Sequence, residues 1–267
     1  MDYHPKKHFG QHFLNHPRYL GKILTALNPQ RTDLLVEVGA GMGALTRKVL
    51  PEVDHLHVVE IDTRFIEYLS SHFDLEKLTI HPANALKFDF AELISPKQDH
   101  KLRIFGNLPY NISTPLLFHF LKFKSQLQDM LFLLQKEVVD RMVAHPGNKT
   151  YGRLSVMVQY HCEAVSLFDV PAKAFTPPPK VESSVVHLTP YERPPESTAL
   201  DYAVFEQIVN EAFQHRRKTI RNALKPWIDE TKLQEINLDP QQRPETLSVE
   251  DFVRISRHCS SGNEERR

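Results

Sequence analysis

The sequence has little cysteine and no long apolar run, and each absence excludes a class of protein. Only two cysteines occur among the 267 residues, Cys162 and Cys259; they fit no metal-binding spacing, and a single disulfide between them is the alternative to two free thiols. No apolar run approaches the ~20 residues that a membrane-spanning helix needs. The segment MDYHPKKHFGQHF contains no apolar stretch of the signal-peptide type. We therefore expect a cytoplasmic protein that has no membrane contact.

The chain also lacks a net charge, because 33 lysines and arginines balance 33 aspartates and glutamates. Any site for a polyanion must then come from a local cluster. Arg217, Arg221 and Lys225 recur every fourth residue, which predicts one basic face of a helix. Such a face suits an RNA backbone, and a merely solvated face is the alternative. The candidate RNA-binding residues are Lys180, Arg216, Arg217, Lys218 and Arg221.

Metal chemistry has no motif in this sequence. Fifteen histidines occur, and four of them recur every fourth residue from His4 to His16. Pro5 and Gly10 argue against one continuous helix there, and no H-E-x-x-H motif is present. We expect no bound metal.

Short apolar runs alternate with helical patterns, which is typical of a parallel sheet covered by helices on both faces. The expected strands cover residues 34–39, 55–62, 78–84, 102–109 and 129–135, with a late antiparallel pair at 164–171 and 183–190. The expected helices cover residues 17–27, 44–50, 64–71, 114–123, 136–145 and 151–161. A proline-containing linker at 191–198 precedes a helical pattern. We expect an α/β domain over residues 1–192 and a small all-α domain over residues 193–267.

Three of the nine glycines, Gly39, Gly41 and Gly43, lie at the turn from the first expected strand into a helix. Glycines at such a turn let the backbone approach a ligand closely. Glu60 ends the next strand, where a carboxylate can accept the hydroxyls of a ribose. Asn84 ends the strand after that and can bind an adenine amino group, although an ordinary turn asparagine is the alternative.

The segment EVGAGMG, which begins at Glu37, resembles the first motif of methyltransferases that use S-adenosylmethionine. A dinucleotide-binding loop would read G-x-G-x-x-G, and here Ala44 takes the place of the third glycine, an allowed substitution. A nicotinamide dehydrogenase and a glycine turn without a ligand remain as alternatives.

The segment FGNLPYN combines an amide, a proline and an aromatic ring at the end of an expected buried strand. The side-chain oxygen of Asn107 and the carbonyl of Leu108 can accept the two hydrogens of an adenine amine. Pro109 favours this arrangement because it restricts the preceding residue to extended geometry. Tyr110 offers a flat face on which a flipped base can stack. The alternative is a turn that buries a tyrosine.

The segment FTPPPKVESS predicts a stiff loop that carries an aromatic ring and a positive charge. Phe175 can form the second wall around a flipped base, or it can fill the core. Lys180 can contact a phosphate, or it can be solvated.

Eight segments, read in order, carry a resemblance to one family. They are FGQHFL, EVGAGMGALT, VVEID, FGNLPYNISTPLL, LQKEVVDRM, YGRLSVMVQY, FTPPPKVESSVV and FQHRRKTIRNAL. Together they look like the ribosomal RNA adenine dimethyltransferases, and most like the bacterial small-subunit members, over roughly residues 8–255.

The resemblance implies a Rossmann-like class I methyltransferase sheet and the cofactor S-adenosylmethionine. It also implies double methylation at N6 of two adjacent adenosines near the 3′ end of small-subunit rRNA. The expected partner is the immature small ribosomal subunit, and a monomer is expected. A methylase of large-subunit rRNA and a non-catalytic assembly factor are the alternatives.

The resemblance also assigns residues. The cofactor contacts map onto His12, Leu14, Gly39, Gly41, Glu60, Asn84 and Asn107. The catalytic positions map onto Asn107, Leu108, Pro109 and Tyr110, with Phe175 opposite. Two positions depart from the family, because His12 stands where asparagine is common and Asn84 stands where aspartate is common.

Overall fold

The computed structural model describes residues 12–94, 101–192, 201–215 and 217–264. The chain forms two compact units, residues 1–139 with 165–190 and residues 140–164 with 191–267. The sequence predicts a single boundary after residue 192, whereas residues 140–164 group with the C-terminal helices. The sequence pattern shows that a helix lies there, but not which neighbours it packs against.

The nine strands of the described chain form two sheets. They are β1 (Phe13–Leu14), β2 (Leu34–Val38), β3 (Leu56–Glu60), β4 (Leu78–Pro82), β5 (Leu102–Asn107), β6 (Leu127–Gln135), β7 (Cys162–Val170), β8 (Phe175–Thr176) and β9 (Ser183–Pro190). The large sheet has the order β4-β3-β2-β5-β6-β9-β7, and the small sheet pairs β1 with β8. Strands β4 to β6 in this order are parallel, and β9 runs antiparallel to β6.

Ten α-helices accompany these strands in the described chain. They are α1 (Pro17–Leu27), α2 (Thr46–Val49), α3 (Thr63–His72), α4 (Ser113–Leu121), α5 (Lys136–Met142), α6 (Arg153–His161), α7 (Tyr202–Gln214), α8 (Ile220–Ala223), α9 (Glu230–Glu235) and α10 (Val249–Glu264). Among the described residues, none of these helices combines the length and the apolar character that crossing a bilayer requires.

The central strands are buried on both faces, as continuous apolar runs in parallel sheets predict. The first five residues of β5 are buried, and so are the last four residues of β2. After β2, the chain adds β3 and then β4 on one side of β2. Strand β5 then pairs with the other side of β2. Open parallel sheets bind ligands where the strand order reverses in this way. The α/β, Rossmann-like class is therefore confirmed, and it places a site beyond β2 and β5.

The small sheet joins two segments that are far apart in the sequence. Phe13 pairs with Thr176, and Leu14 pairs with Phe175. The Asn15 side chain adds a hydrogen bond, because its Nδ2 donates to the hydroxyl of Thr176 at 2.6 Å. The start of the described chain is thereby fixed to the proline-rich loop.

A buried ionic network lies at the opposite ends of the strands. Arg103, which is 6% exposed, donates from Nε and from one terminal nitrogen to both oxygens of Asp129 at 2.8 and 2.9 Å. It also binds the carbonyl of Leu27 and the carboxylate of Asp33. His187 approaches Asp129 at 3.0 Å. Burial alone would raise the pKa of Asp129, but the hydrogen bonds and charges of His187 and Arg103 outweigh it and lower the pKa.

In the second unit, α6, α7 and α10 pack against one another. Aromatic contacts mark this core: the Tyr160 and Phe205 rings lie 4.5 Å apart, and those of Phe213 and Phe252 lie 5.7 Å apart. The position of α6 explains why residues 140–164 belong to this unit.

The single basic helix face predicted for Arg217, Arg221 and Lys225 is wrong. Helix α7 ends at Gln214, and only Arg221 lies in the short helix α8. The N–H groups of Ile220 and Arg221 donate to the carbonyls of Gln242 and Pro240. These donors are therefore not used in a continuous helix.

Candidate functional site

A cavity of about 760 Å³ lies at the carboxyl ends of the parallel strands in the first unit. Its volume is in the range that small-molecule sites occupy. Most of the predicted cofactor and base-binding residues line it. They are His12, Leu14, Gly39, Gly41, Glu60, Asn84, Asn107, Leu108, Pro109 and Tyr110. The structure therefore brings these residues together around one cavity.

The glycine loop enters the cavity directly after β2. Gly41 has φ +56°, a conformation that side-chain-bearing residues rarely adopt, and a Cβ there would lie 3.0 Å from the Phe13 ring. The Gly41 N–H donates to Oε2 of Glu60 at 3.0 Å. Glycine is thus required here both for the turn and for the close packing of the cavity wall.

Glu60 is held by backbone donors at the end of β3. Its Oε1 accepts from the N–H groups of Ile61 at 2.9 Å and Asp62 at 3.0 Å, in addition to the Gly41 bond to Oε2. A carboxylate oxygen has about two acceptor sites. Oε2 therefore keeps capacity for one further donor such as a ribose hydroxyl, while Oε1 is satisfied by the protein.

Glu37 is a second buried carboxyl group in the same wall. It is 2% exposed, and its Oε2 accepts from the hydroxyl of Thr46 at 2.5 Å. Burial raises the pKa of Glu37 to about 8, the Thr46 bond opposes this shift, and the negative charge of Glu60 adds to it. The sequence singles out Glu37 only as part of a motif, because a strand residue gives no sign of its protonation state.

Asn84 occupies the turn that follows β4. Its side-chain oxygen accepts from the N–H of Leu86 at 3.0 Å, and its carbonyl accepts from Lys87 at 2.8 Å. Asn84 therefore shapes a turn, as the turn alternative describes, and it also lines the cavity. Its side-chain oxygen already serves the loop before any ligand binds.

Asn107 ends β5 with a fixed amide orientation. Its Nδ2 donates to the backbone carbonyl of His12 at 2.8 Å. The other polar atom of this side chain is the acceptor oxygen, as the base-binding hypothesis requires. The carbonyls of Pro109 and Tyr110 accept hydrogen bonds from Ile112 and Ser113 within the following turn. Leu108 supplies the carbonyl that lies between them and Asn107.

Tyr110 is held by contacts at its hydroxyl and on its ring. The hydroxyl is 2.6 Å from the Ser183 hydroxyl, and the His12 imidazole stacks on the ring with centroids 5.7 Å apart and planes at 26°. The Nδ1 of His12 is 2.8 Å from the Pro177 carbonyl, to which it donates. Burial raises the pKa of the Tyr110 hydroxyl despite the Ser183 bond, so the ring remains neutral at neutral pH.

Phe175 does not reach the cavity. It is 3% exposed and packs in the hydrophobic core, as the core-filling alternative describes. Its neighbours Thr176 and Pro177 line the cavity instead. The sequence points to this loop, but the pairing of β8 with β1 decides which residue faces inward.

The candidate RNA-binding residues lie outside the cavity lining. Lys180 is exposed, and so are Arg217 and Lys218. Arg221 forms an ion pair with Glu230 at 3.0 Å. Arg216 lies outside the described residues.

The cavity wall presents acceptors for a polar ligand. They include the remaining site on Oε2 of Glu60 and the carboxyl group of Glu37. Among the described residues, no group of three or more histidines, cysteines or acids is arranged to hold a metal ion.

Comparisons with known proteins identify the family. A family model described as ribosomal RNA adenine dimethylase matches residues 3–260. The Ribosomal RNA small subunit methyltransferase A of Vibrio parahaemolyticus is 49% identical over 252 residues, covering 94% of this chain and 93% of the relative. The protein of the same name from Aromatoleum aromaticum is 49% identical over 260 residues, covering 97% and 96%.

Solved structures agree with this assignment. A dimethyladenosine transferase from Plasmodium falciparum superposes with a TM-score of 0.77 at 26% identity, covering 94% of this chain and 98% of that one. The 23S rRNA methyltransferase ErmE has a TM-score of 0.68 at 20% identity, covering 93% and 99%, and shows the shared class I fold alone. The chain belongs to the ribosomal RNA adenine dimethylase family.

Proposed function

We propose that this chain transfers methyl groups from S-adenosylmethionine to N6 of two adjacent adenosines near the 3′ end of small-subunit rRNA, in immature small ribosomal subunits. The observation that supports this most directly is one cavity lined by both the glycine loop and Asn107 to Tyr110. The names of the Vibrio and Aromatoleum relatives support the small subunit as the substrate.

The cofactor, when bound, supplies an electrophilic methyl group. The protein holds it through the glycine loop and the remaining acceptor site of Glu60, with Asn84 near the adenine. The methyl-accepting amine is a weak nucleophile, because its lone pair is delocalised into the adenine ring. Asn107 and Leu108 each accept one amine hydrogen, which favours a pyramidal nitrogen and frees the lone pair.

The second wall of the base site is assigned to His12 rather than Phe175. The His12 imidazole is the ring that faces Tyr110, at a centroid distance of 5.7 Å. A base between the two rings needs about 7 Å, twice the van der Waals contact distance of ~3.5 Å. His12 must therefore move by about 1–2 Å to admit the base.

We assign the contacts with the rRNA backbone to basic side chains. They are the exposed residues Lys180, Arg217 and Lys218, together with Arg221 and Arg216. Neutralised phosphates make binding dependent on salt. Replacing Arg217 and Lys218 by alanine should therefore weaken RNA binding and reduce its salt dependence. An unchanged salt slope would place the RNA elsewhere.

The test is methyl transfer from labelled S-adenosylmethionine to immature small subunits and, separately, to 23S rRNA transcripts. Mass spectrometry should find two adjacent dimethyladenosines in the small-subunit RNA. Asn107→Ala should lower the rate roughly thirty- to thousandfold, since it removes a transition-state acceptor worth about 2–4 kcal/mol. Asn148→Ala, which changes an exposed asparagine in the second unit, should stay within about threefold.

Each alternative predicts a different result. Label in the 23S transcript alone would favour the large-subunit methylase. A non-catalytic assembly factor would bind immature subunits and transfer no label to either RNA. A rate for Asn107→Ala within about threefold of the parent would remove Asn107 from its proposed role.

A further inference from the structure

We infer that Glu37 is a charge-sensing residue for the cofactor, which holds a proton in the ligand-free protein and releases it to solvent when the cationic cofactor binds. This inference rests on the proposed function for the identity of the ligand. It adds a role for a residue that the transfer chemistry described above does not use.

The two carboxyl groups of the cavity wall, Glu37 and Glu60, differ in the hydrogen-bond donors that surround them. Glu60 accepts from three backbone N–H groups, which suit a carboxylate, whereas within the described residues Glu37 accepts from the Thr46 hydroxyl alone. Glu37 is also 2% exposed. Because Glu37 has fewer donors than Glu60 and lies in the same wall, a second negative charge on Glu37 is disfavoured.

The surroundings of Glu37 supply few other charges. Beside it in the sheet are Val58 of β3 and Phe105 of β5, neither of which titrates. The guanidinium of Arg47 on α2 is placed over the Phe73 ring, 4.9 Å from its centroid. The other titratable groups of the described cavity wall are Glu60, Asp62, His12 and Tyr110. Asp62 is already paired with Arg64.

A bound cation changes this balance. S-adenosylmethionine carries a sulfonium and an ammonium against one carboxylate, so it brings one net positive charge into a wall that includes Glu37. An opposite charge favours the ionised form of a carboxyl group. The proton passes to the buffer, and the new carboxylate attracts the cofactor. A ligand-free pKa of about 8 means that Glu37 is mostly protonated at neutral pH.

Proton release determines the direction in which the cofactor affinity changes with pH. A ligand that releases protons binds more tightly as the pH rises. The contribution of Glu37 to the affinity should increase as the pH rises from 6 toward about 8, by at most about tenfold per pH unit, and should then level off. At pH 7 the binding of each cofactor should release a proton from Glu37.

The experiment is calorimetry of S-adenosylmethionine binding at pH 7 in buffers that differ in ionisation enthalpy. The matched variant is Glu37→Gln, which keeps nearly the same volume and an acceptor for Thr46 but cannot ionise. The parent should release at least ~0.5 proton more than Glu37→Gln. Protons exchanged by the cofactor and by groups other than Glu37 cancel in this comparison.

A second variant tests the same idea if Glu37→Gln folds poorly. Thr46→Val removes the donor to Glu37 and should weaken binding several-fold at pH 7, because ionisation of Glu37 becomes more costly. The loss should be smaller at pH 9, where the carboxyl group ionises more readily before the cofactor binds, and an equal loss at both pH values would overturn the role of Glu37.

The outcomes separate this inference from the proposed function. Binding with equal proton release in the parent and Glu37→Gln would overturn the role of Glu37 and leave the proposed function intact. No binding by the parent at millimolar cofactor would overturn both.

Discussion

Asn84 uses its one side-chain oxygen inside its own turn, where the N–H of Leu86 binds it at 3.0 Å. An aspartate would keep that bond with one oxygen and present a second, charged oxygen to the cavity. Hydrogen bonds to charged groups contribute ~1.5–3 kcal/mol, against ~0.5–1.5 kcal/mol for neutral ones. We predict that Asn84→Asp binds S-adenosylmethionine about three- to thirtyfold more tightly, as measured by calorimetry at pH 7.

Asn148→Asp is the control for charge alone. It adds the same charge at an exposed turn in the second unit, where the asparagine oxygen accepts from Thr150. Its cofactor affinity should match that of the parent. Equal affinities of Asn84→Asp and the parent would show that this oxygen does not contact the ligand.

At the residue scale, the sequence predicts which types of side chain line the cavity better than it predicts the direction in which a given side chain points. Asn107, Tyr110 and Glu60 all line the cavity, because they end or follow strands whose carboxyl ends meet at one edge of the sheet. Phe175 does not, since a shift of one residue in a strand reverses the direction of its side chain. The pairing of β8 with β1 fixes that direction, and no local pattern encodes this pairing.

At the scale of elements, the approach of β5 to β2 depends on Gly106. A Cβ at this position would lie 2.4 Å from the Val38 carbonyl oxygen, a backbone atom that cannot rotate away. We predict that Gly106→Ala costs about 1–3 kcal/mol or more in the free energy of unfolding, because the two strands must separate. It should also weaken cofactor binding, since Val38 precedes the glycine loop and Asn107 follows Gly106.

Gly21→Ala is the matched control for Gly106→Ala. Gly21 lies within α1, and an added Cβ there would meet no atom within 4 Å. Alanine should stabilise the helix by ~0.5–1 kcal/mol. Urea unfolding of both variants measures the contrast, and a Gly106→Ala variant as stable as the parent would contradict the predicted strand separation.

Elements with a clear apolar period are the ones that the sequence predicts well. The bounds of α1 and β9 agree with the sequence pattern, and the two late strands, β7 and β9, are neighbours in the large sheet as predicted. The prediction of one helix for the basic segment after α7 is wrong, because its spacing fits a helix while the N–H groups of Ile220 and Arg221 bind the loop at residues 240–242. Side-chain spacing carries no information about that long-range pairing.

At the scale of the whole molecule, Arg103 connects much of the first unit. It binds the last carbonyl of α1, Asp33 before β2 and Asp129 of β6. Removing one partner of a buried ion pair leaves an uncompensated charge and costs about 3–5 kcal/mol. We predict this loss for Arg103→Met in urea unfolding. Arg31→Met, which breaks a pair with side chains 77% and 63% exposed, should cost less than about 1 kcal/mol.

The same network determines the direction in which stability changes with pH. The pKa of Asp129 is lower in the folded protein than its ordinary value of 3.8. Its contribution is therefore present above the unfolded pKa and is lost as the pH falls through the folded pKa. Below about pH 4 the difference in stability between the parent and Arg103→Met should shrink. A constant difference down to pH 2 would contradict this assignment.

The ribbon of β1 and β8 has a consequence for the order of biosynthesis. It joins Phe13 and Leu14 to partners that emerge more than 150 positions later. Until the ribosome has synthesised Pro177, the nascent chain lacks one wall of the cavity, even if β2 and β3 have already paired. We therefore expect that the cofactor can bind only after most of the chain has been synthesised.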